Sequence, residues 1–381
     1  MSKAPKLTYL ISGLEIGGAE IGMTRLLDGL PADIFNVTVV ALDGGEQTVV
    51  PDIPDHVEIV DLGIGNKLFV HKLALLIPIL RETDILVGSV YHAEIVARLF
   101  DLMIPTDTLL SWAHNTEFKT PMRRWVDKLT IGRCDGILAD SDAVATMLVE
   151  RQGVNPEKVS TVPIAGLSLG EYDRPSVPLR SLEYSVVGGE PLERVGDSTV
   201  VVGTVGTLSA AKNHDAVIQV ASRLTDENVQ FAIAGDGPRR AELVAEVAER
   251  GLTNVSFLGR VDDVPEFLSA VDIYFQPSHY EGLCITVLEA MAAGKPVVAS
   301  NAGEIPSNVE HGKSGFVTTS ENIDEFEQYI YRLIHNPKLR TKVGNSAYNG
   351  VPDKYTQSSL VKKFLTFINK YSSNMILTKN I

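Results

Sequence analysis

Short apolar runs rich in valine and isoleucine alternate along the chain with stretches whose apolar residues recur at helical spacing. That alternation predicts parallel sheets covered by helices on both faces, because strands buried on both sides read as continuous apolar runs. In the first half it predicts strands at Leu7–Ser12, Val37–Leu42, Val57–Leu62, Ile85–Ser89, Thr108–Ala113, Gly136–Ala139 and Val159–Pro163. Helices such as Ala19–Leu30 and Ala143–Arg151 separate them. The rhythm fails over Glu171–Ser198, where Pro175, Pro178, Gly188, Gly189 and Pro191 mark a connection. It restarts in "TVVVGTVGTL" and continues as strands at Val229–Ala234, Val255–Leu258, Ile273–Gln276, Pro296–Ser300 and Gly315–Val317. Late helices are predicted at Glu321–His335 and Gln357–Tyr371.

At 381 residues, two α/β domains fit better than one core. The expected architecture is two Rossmann-like parallel-sheet domains facing a cleft. The first spans 1–175, a linker 176–198, and the second 199–355, with the last helix (356–381) packing back on the first. Open sheets of this kind bind ligands outside the carboxyl ends of their strands. The strand-to-helix turns of both halves are therefore where chemistry is expected.

Charge and cysteine content narrow the partners. A formal net charge of −14 argues against a nucleic-acid binder, which needs a basic footprint. Cys134 and Cys284 offer neither a disulfide framework nor a metal-type spacing, which fits a reducing cytoplasm. The opening "MSKAPKLTYLISGLEIGG" lacks the features of a signal peptide. The most apolar segment, Phe69–Leu80, carries His71, Lys72 and Pro78 and is shorter than the about 20 residues that span a bilayer. It is expected to be a helix buried against a sheet, in a cytoplasmic protein that is soluble or peripheral at the membrane.

Four turns carry candidate chemistry. In "ISGLEIGGAE" the glycines at 13, 17 and 18 do not form the dinucleotide fingerprint. Gly17 and Gly18 at a helix start still let an anion approach the backbone, as they also permit a plain tight turn. "VGTVGTLSAAKNHDA" puts Lys212 near a helix start, where an ammonium can meet a phosphate; a surface lysine is the plainer reading. "FAIAGDGPRRAEL", with Gly237, is a third turn and reads equally as turn chemistry. The fourth, "HYEGLCITVLEAMAAGKPVVAS", has one carboxylate before a helix, Glu281, and one inside it, Glu289. The first helical amides lack intrahelical partners and can hold a diphosphate. Glu289 would then suit a ribose and Glu281 a sugar at the other end, through charge-assisted hydrogen bonds. A loop charge and an exposed helix residue are the alternative. "DSD", Asp140–Asp142, looks like a metal-binding D-x-D, but it ends a strand before a helix and reads more simply as an N-cap.

The E-x7-E stretch Glu281–Glu289, with "EAMAAGKPVVAS", "GEIPSNVEHGKSGFV", "GGAE", "HN" at His114–Asn115, "VVGTVGTLSAAKNH", "AGDGP" and "FLGRV", resembles the retaining glycosyltransferases of family 4, also called glycosyl transferases group 1. The resemblance runs over nearly the full chain and implies the GT-B fold and a nucleoside-diphosphate sugar donor. It implies that Glu289 binds the ribose, that the amides of Leu283, Cys284, Ile285 and Thr286 hold the diphosphate, and that Glu281, with Gly282 beside it, contacts the donor sugar. Lys212 would neutralise phosphate, Gly17 and Gly18 would close over it, and the backbone at Arg260–Val261 would meet the base. His114 would reach the donor sugar or the reaction centre, and no metal or other cofactor is implied. The acceptor would be a saccharide or a lipid-linked sugar, in surface polysaccharide or glycan assembly.

Departures from the family pattern bear on the donor. Thr207 stands where an arginine is common, which leaves phosphate charge to Lys212, alone or with Arg239 or Arg260. Gly303-Glu304 replaces a glycine pair, Ser307 a glutamate, and "PIAG" (Pro163–Gly166) a "PNG". Cys284 occupies a position usually held by a small residue such as glycine. A nucleotide-sugar epimerase and a non-catalytic nucleotide-sugar binder are the rival readings. "PMRRWVDKL" sets Arg123, Arg124 and Lys128 beside an apolar Met122/Trp125/Val126/Leu129 face. It is read mainly as a solvated basic edge on a packed helix, with peripheral membrane contact as the second reading.

Overall fold

In a computed structural model the chain divides into two compact units, residues 1–167 with 353–381, and residues 168–352. The structure describes residues 4–45, 47–64, 70–116, 120–179, 182 and 198–372. Most of the predicted connection, 176–198, lies outside the described residues.

The first unit holds seven strands: β1 (Lys6–Ile11), β2 (Asn36–Ala41), β3 (Glu58–Asp61), β4 (Ile85–Ser89), β5 (Thr108–Ala113), β6 (Gly136–Ala139) and β7 (Val159–Thr161). They form one parallel sheet in the order β3-β2-β1-β4-β5-β6-β7. The order reverses between β1 and β4, the place where a doubly wound sheet opens a crevice at its carboxyl edge. Helices α1 (Gly18–Gly29), α2 (Leu76–Leu80), α3 (Tyr91–Asp101), α4 (Pro121–Thr130) and α5 (Asp142–Glu150) connect the strands. Leu10, Leu86, Leu109 and Ile137 of the sheet share a core with Leu76, Ala93, Ala97 and Leu148 of the helices.

The predicted helix over Phe69–Leu80 is in two pieces. Residues 70–75 make a 3-10 turn and only Leu76–Leu80 is α-helical, with Phe69 outside the described residues. Pro78 lacks an N–H and is tolerated in a helix's first turn, which suits a helix beginning at Leu76. The last helix, α13 (Gln357–Tyr371), belongs to this unit. Its entry is fixed by Leu167 N donating to Tyr355 O and Gln357 N to Leu167 O. Phe364 then stacks on Trp112 of β5 at 5.6 Å, and Gln357 Nε2 donates to Arg25 O and to Asp28 on α1.

The second unit repeats the plan with β8 (Val200–Val205), β9 (Val229–Ala234), β10 (Val255–Gly259), β11 (Ile273–Gln276), β12 (Val297–Ser300) and β13 (Gly315–Thr318). These strands are parallel in the order β10-β9-β8-β11-β12-β13, reversing between β8 and β11. Its helices in chain order are α6 (His214–Arg223), α7 (Arg240–Glu249), α8 (Val264–Ser269), α9 (Ile285–Ala292), α10 (Ile305–Asn308), α11 (Ile323–Ile334) and α12 (Pro337–Asn349). Phe231, Phe257, Phe275 and Phe326 fill the core, the last two meeting edge to face at 5.0 Å. Asn322 caps α11 by accepting from Glu325 N, and Asn336 with Pro337 starts α12, a signal the sequence carries but the periodicity hides. Among the described residues no helix is long and apolar enough to cross a membrane.

Candidate active site

In the second unit the turns after β8, β9, β11 and β12 interlock through glycines. Gly235 has φ +141°, and a Cβ there would sit 2.0 Å from Gly206 O; one on Gly237 would sit 2.7 Å from Leu208 N and O. The turn after β9 thus packs backbone to backbone on the turn after β8, and Leu208 N donates to Asp236 O at 2.9 Å. Gly206 leaves a lane for the methylenes of Lys212, about 3.5 Å away. Asn213 follows in the left-handed region (φ 52°), where asparagine is tolerated. Its Nδ2 donates to Pro277 O and Ser320 O, and His279 N donates to Ala211 O at 2.8 Å. The Lys212 turn and the Glu281 turn are thereby one structure.

Lys212 Nζ lies 2.7 Å from Glu281 Oε1 and 3.0 Å from Oε2. Burial disfavours the Lys212 charge, but the Glu281 carboxylate beside it outweighs burial, and its pKa is raised. Glu281 also ends a directed chain of donors. The Tyr274 hydroxyl donates to Gln276 Oε1 (2.8 Å), Gln276 Nε2 to Ser278 Oγ (2.8 Å), and Ser278 Oγ to Glu281 Oε1 (2.7 Å). Tyr274 and Gln276 sit two apart on β11 and so point to one face. These three residues were not singled out in the sequence; the signal was a polar residue at every second position of a buried run. The chain fixes Glu281 as an acceptor with a set orientation.

Glu289 is not an exposed helix residue. It is buried in the second turn of α9 and accepts from the Tyr172 hydroxyl at 3.0 Å, within the same unit. Cys284 caps α9 in the left-handed region (φ 58°, ψ 70°), a conformation in which glycine is unstrained. Its thiol is buried, and burial, reinforced by Glu281, pushes it up, so it is an un-ionised lining group. Among the described residues the amides of Leu283, Cys284, Ile285 and Thr286 donate to no protein acceptor, the ordinary state of a helix's first turn. Gly303 (φ +53°) lies under this loop, and Glu304 N donates to Gly282 O at 2.9 Å.

A Cβ on Gly303 would stand 2.3 Å from Gly282 O and 2.5 Å from Glu281 O, all backbone. Gly303→Ala is therefore expected to lower stability by about 2 kcal/mol and to displace Glu281. A thermal melt and a donor titration check both effects; an unchanged melt would show that the loop yields freely.

Arg239 does not supply spare positive charge for a ligand. It is bidentate to Asp215 (2.5 and 2.8 Å) and also held by Glu242, and the Asp215 hydrogen bonds raise its pKa further. Thr207 is exposed, Arg260 follows β10 with its side chain partly buried and engaged, and Val261 is buried. The structure thus gathers Lys212, Glu281, Gly282 and the start of α9 into one cluster, while the Arg239 guanidinium is taken up by Asp215 and Glu242.

The first unit has its own polar cluster at the carboxyl ends of β4, β5 and β6. His114 Nε2 meets Ser89 Oγ at 2.8 Å, and Nδ1 meets Asp140 Oδ2 at 3.2 Å, with the ring stacked along Trp112. Ser141, not Asp140, caps α5 by accepting from Val144 N, which leaves Asp140 to orient the imidazole. Gly17 caps α1, and Glu20 in its first turn reaches back to it; burial raises the Glu20 pKa, and His114 partly counters that. Glu20 closes the "GGAE" sequence, in which the spacing alone points to no role for it.

Residues 16–165 match the family described as Glycosyltransferase Family 4, and residues 193–350 match Glycosyl transferases group 1. Alpha-D-kanosaminyltransferase of Streptomyces kanamyceticus is 27% identical over 245 residues, 63% of this chain and 61% of that protein. Poly(ribitol-phosphate) alpha-N-acetylglucosaminyltransferase of Staphylococcus aureus is 28% identical over 173 residues, 44% of this chain and 35% of that protein. The matched stretches thus span less than two thirds of the length of these curated relatives. Among solved structures, Anabaena HepE in complex with UDP-glucose superposes with a TM-score of 0.81, at 21% identity, covering 96% of this chain and 99% of that one. Sucrose-phosphate synthase from Thermosynechococcus elongatus gives 0.76 at 17% identity, covering 96% and 98%.

Proposed function

The chain belongs to the family 4 glycosyltransferases, glycosyl transferases group 1, and from that premise we propose that it moves a sugar from a nucleoside-diphosphate donor to an acceptor hydroxyl with retention of the anomeric configuration. The observation that carries this reading is the Lys212–Glu281 pair, its carboxylate four residues ahead of α9, with Glu289 buried one turn inside that helix. A diphosphate at the helix start is a stronger partner for Lys212 than a single carboxylate. Drawing the ammonium to phosphate leaves Glu281, still oriented by Ser278, to accept hydroxyl groups of the donor sugar. Lys212 and the amides of residues 283–286 then meet the charge that develops on the leaving diphosphate. The departing phosphate oxygen takes the acceptor's proton, so no side chain is required as a base. His114, held by Ser89 and Asp140, is assigned to the reacting sugar.

UDP-glucose, present in the Anabaena structure, is the first donor to try. The acceptor is a saccharide or a lipid-linked sugar, and the expected place of action is the cytoplasm, at the membrane face where the acceptor is lipid-linked. A donor panel with purified protein tests the reading: sugar transfer with retained configuration by NMR supports it, and epimerised sugar released without an acceptor overturns it. Glu289→Ala is expected to weaken nucleotide binding by about 10- to 100-fold, from the loss of hydrogen bonds to an ionised carboxylate. Calorimetric titration with UDP measures this; wild-type affinity in that variant would remove Glu289 from the site.

A further inference from the structure

Helix α4 is built inside out. Its one buried residue is Asp127, gripped by Arg98 Nη1 at 2.6 Å and Gln152 Nε2 at 3.2 Å. Its exposed residues are Pro121, Met122, Arg124, Trp125, Lys128 and Leu129, every one apolar or cationic. Met122, Trp125 and Leu129 are 74%, 63% and 62% exposed. The sequence reading put this stripe against the protein, and the structure turns it to water. Positions 122, 125 and 129 share one helix face, and Asp127 lies on the opposite one. Once Asp127 turns inward to neutralise the buried Arg98, the stripe must face out.

The neighbouring α3, joined to α4 through Arg98–Asp127 and the Tyr91 hydroxyl on Arg123 O, adds exposed Leu99, Leu102 and Met103 at its far end. We propose that α4, with this end of α3, docks the protein on an anionic lipid surface. Four large apolar side chains in water on the adjacent α3 and α4, with Leu102 and Met103 just past the end of α3, exceed the scattered exposure ordinary for a soluble surface. Arg124 and Lys128 have no carboxylate partner among the described residues, in a chain whose net charge is −14. An anionic membrane therefore attracts this face and repels the acidic remainder, which orients the molecule. The long stems of Arg124 and Lys128 can keep their charges among headgroups while Trp125 and Leu129 enter the acyl boundary.

Trp125 is also the reporter. The chain has two tryptophans, and Trp112 is fully buried, so a change in emission on adding vesicles reads the α4 face. The probes are vesicles of phosphatidylcholine alone and of an equal mixture with phosphatidylglycerol, followed by fluorescence and by sedimentation. The expected result is a blue shift and co-sedimentation with the mixed vesicles only. Arg124→Glu with Lys128→Glu, and separately Trp125→Ser with Leu129→Ser, should each weaken sedimentation by about tenfold or more. Both double variants alter exposed side chains, and circular dichroism checks that they fold. No shift with either vesicle, or equal binding by the variants, overturns the proposal. A concentration-dependent dimer in plain buffer that Trp125→Ser abolishes would also overturn it, by assigning the face to a second copy.

Discussion

Lys212→Ala is expected to lower kcat/KM by about a hundred- to a thousandfold, the loss typical of removing one preorganised group that meets developing charge. Two effects add in this variant. The leaving diphosphate loses its cation, and Glu281, 7% exposed beside Lys212, loses its ammonium partner and keeps the Ser278 hydroxyl as a donor. The second effect is a stability cost, since a largely buried carboxylate that loses its cation is left imperfectly compensated. Glu281→Gln separates the two roles. It breaks the ion pair but leaves Lys212 available to phosphate, so nucleotide affinity should hold or tighten while turnover falls. Equal loss of UDP affinity in both variants would sink the division of labour between lysine and glutamate. Steady-state kinetics with a matched UDP titration decides it.

The sheets were legible because strands buried on both faces leave unbroken apolar runs. Ile85–Ser89, Thr108–Ala113, Val229–Ala234 and Ile273–Gln276 run over the same residues in the structure as in the sequence reading. What distance alone decides was not legible. Lys212 and Glu281 were each read as facing a ligand, but the bond between residues 69 positions apart has no sequence signal. Tyr172 lies at the start of the interval Glu171–Ser198 and reads as punctuation, although its hydroxyl holds Glu289. The left-handed cap at Cys284 is a backbone property that a cysteine does not announce. Helix α4 was turned wrongly for a related reason. Periodicity assumes that the apolar stripe seeks the core, and here a buried arginine on another helix has a prior claim on the opposite face.

That arginine carries the second large effect. Arg98→Ala is expected to destabilise the first unit by about 3–5 kcal/mol, the cost of leaving buried charge uncompensated. Arg98 is 1% exposed, and its guanidinium joins Asp127 on α4 at 2.6 Å, Ser111 on β5 at 2.9 and 3.1 Å, and Glu94 one turn back at 3.7 Å. Burial opposes its charge, and Glu94 and Asp127 together outweigh that opposition. Glu94 is itself pushed up to about 7, chiefly by burial, with Arg98 holding it down. A carboxyl whose folded pKa lies above its unfolded value binds more protons when folded, so stability falls as pH rises from near 4.5 through 7. Removing Arg98 pushes Glu94 higher and strands Asp127, so the deficit in Arg98→Ala should widen from pH 5 to pH 8 in thermal melts. A deficit independent of pH would mean that lost packing, not lost charge, is the cause. Replacing Glu94 and Asp127 by leucine alongside Arg98→Met should recover most of the stability, because an apolar core of similar volume carries no desolvation penalty. In that variant nothing polar draws the inner face of α4 toward the sheet. If α4 keeps its register there, Trp125 stays in water; if it rolls to bury its apolar stripe, Trp125 emission shifts to the blue without any vesicle.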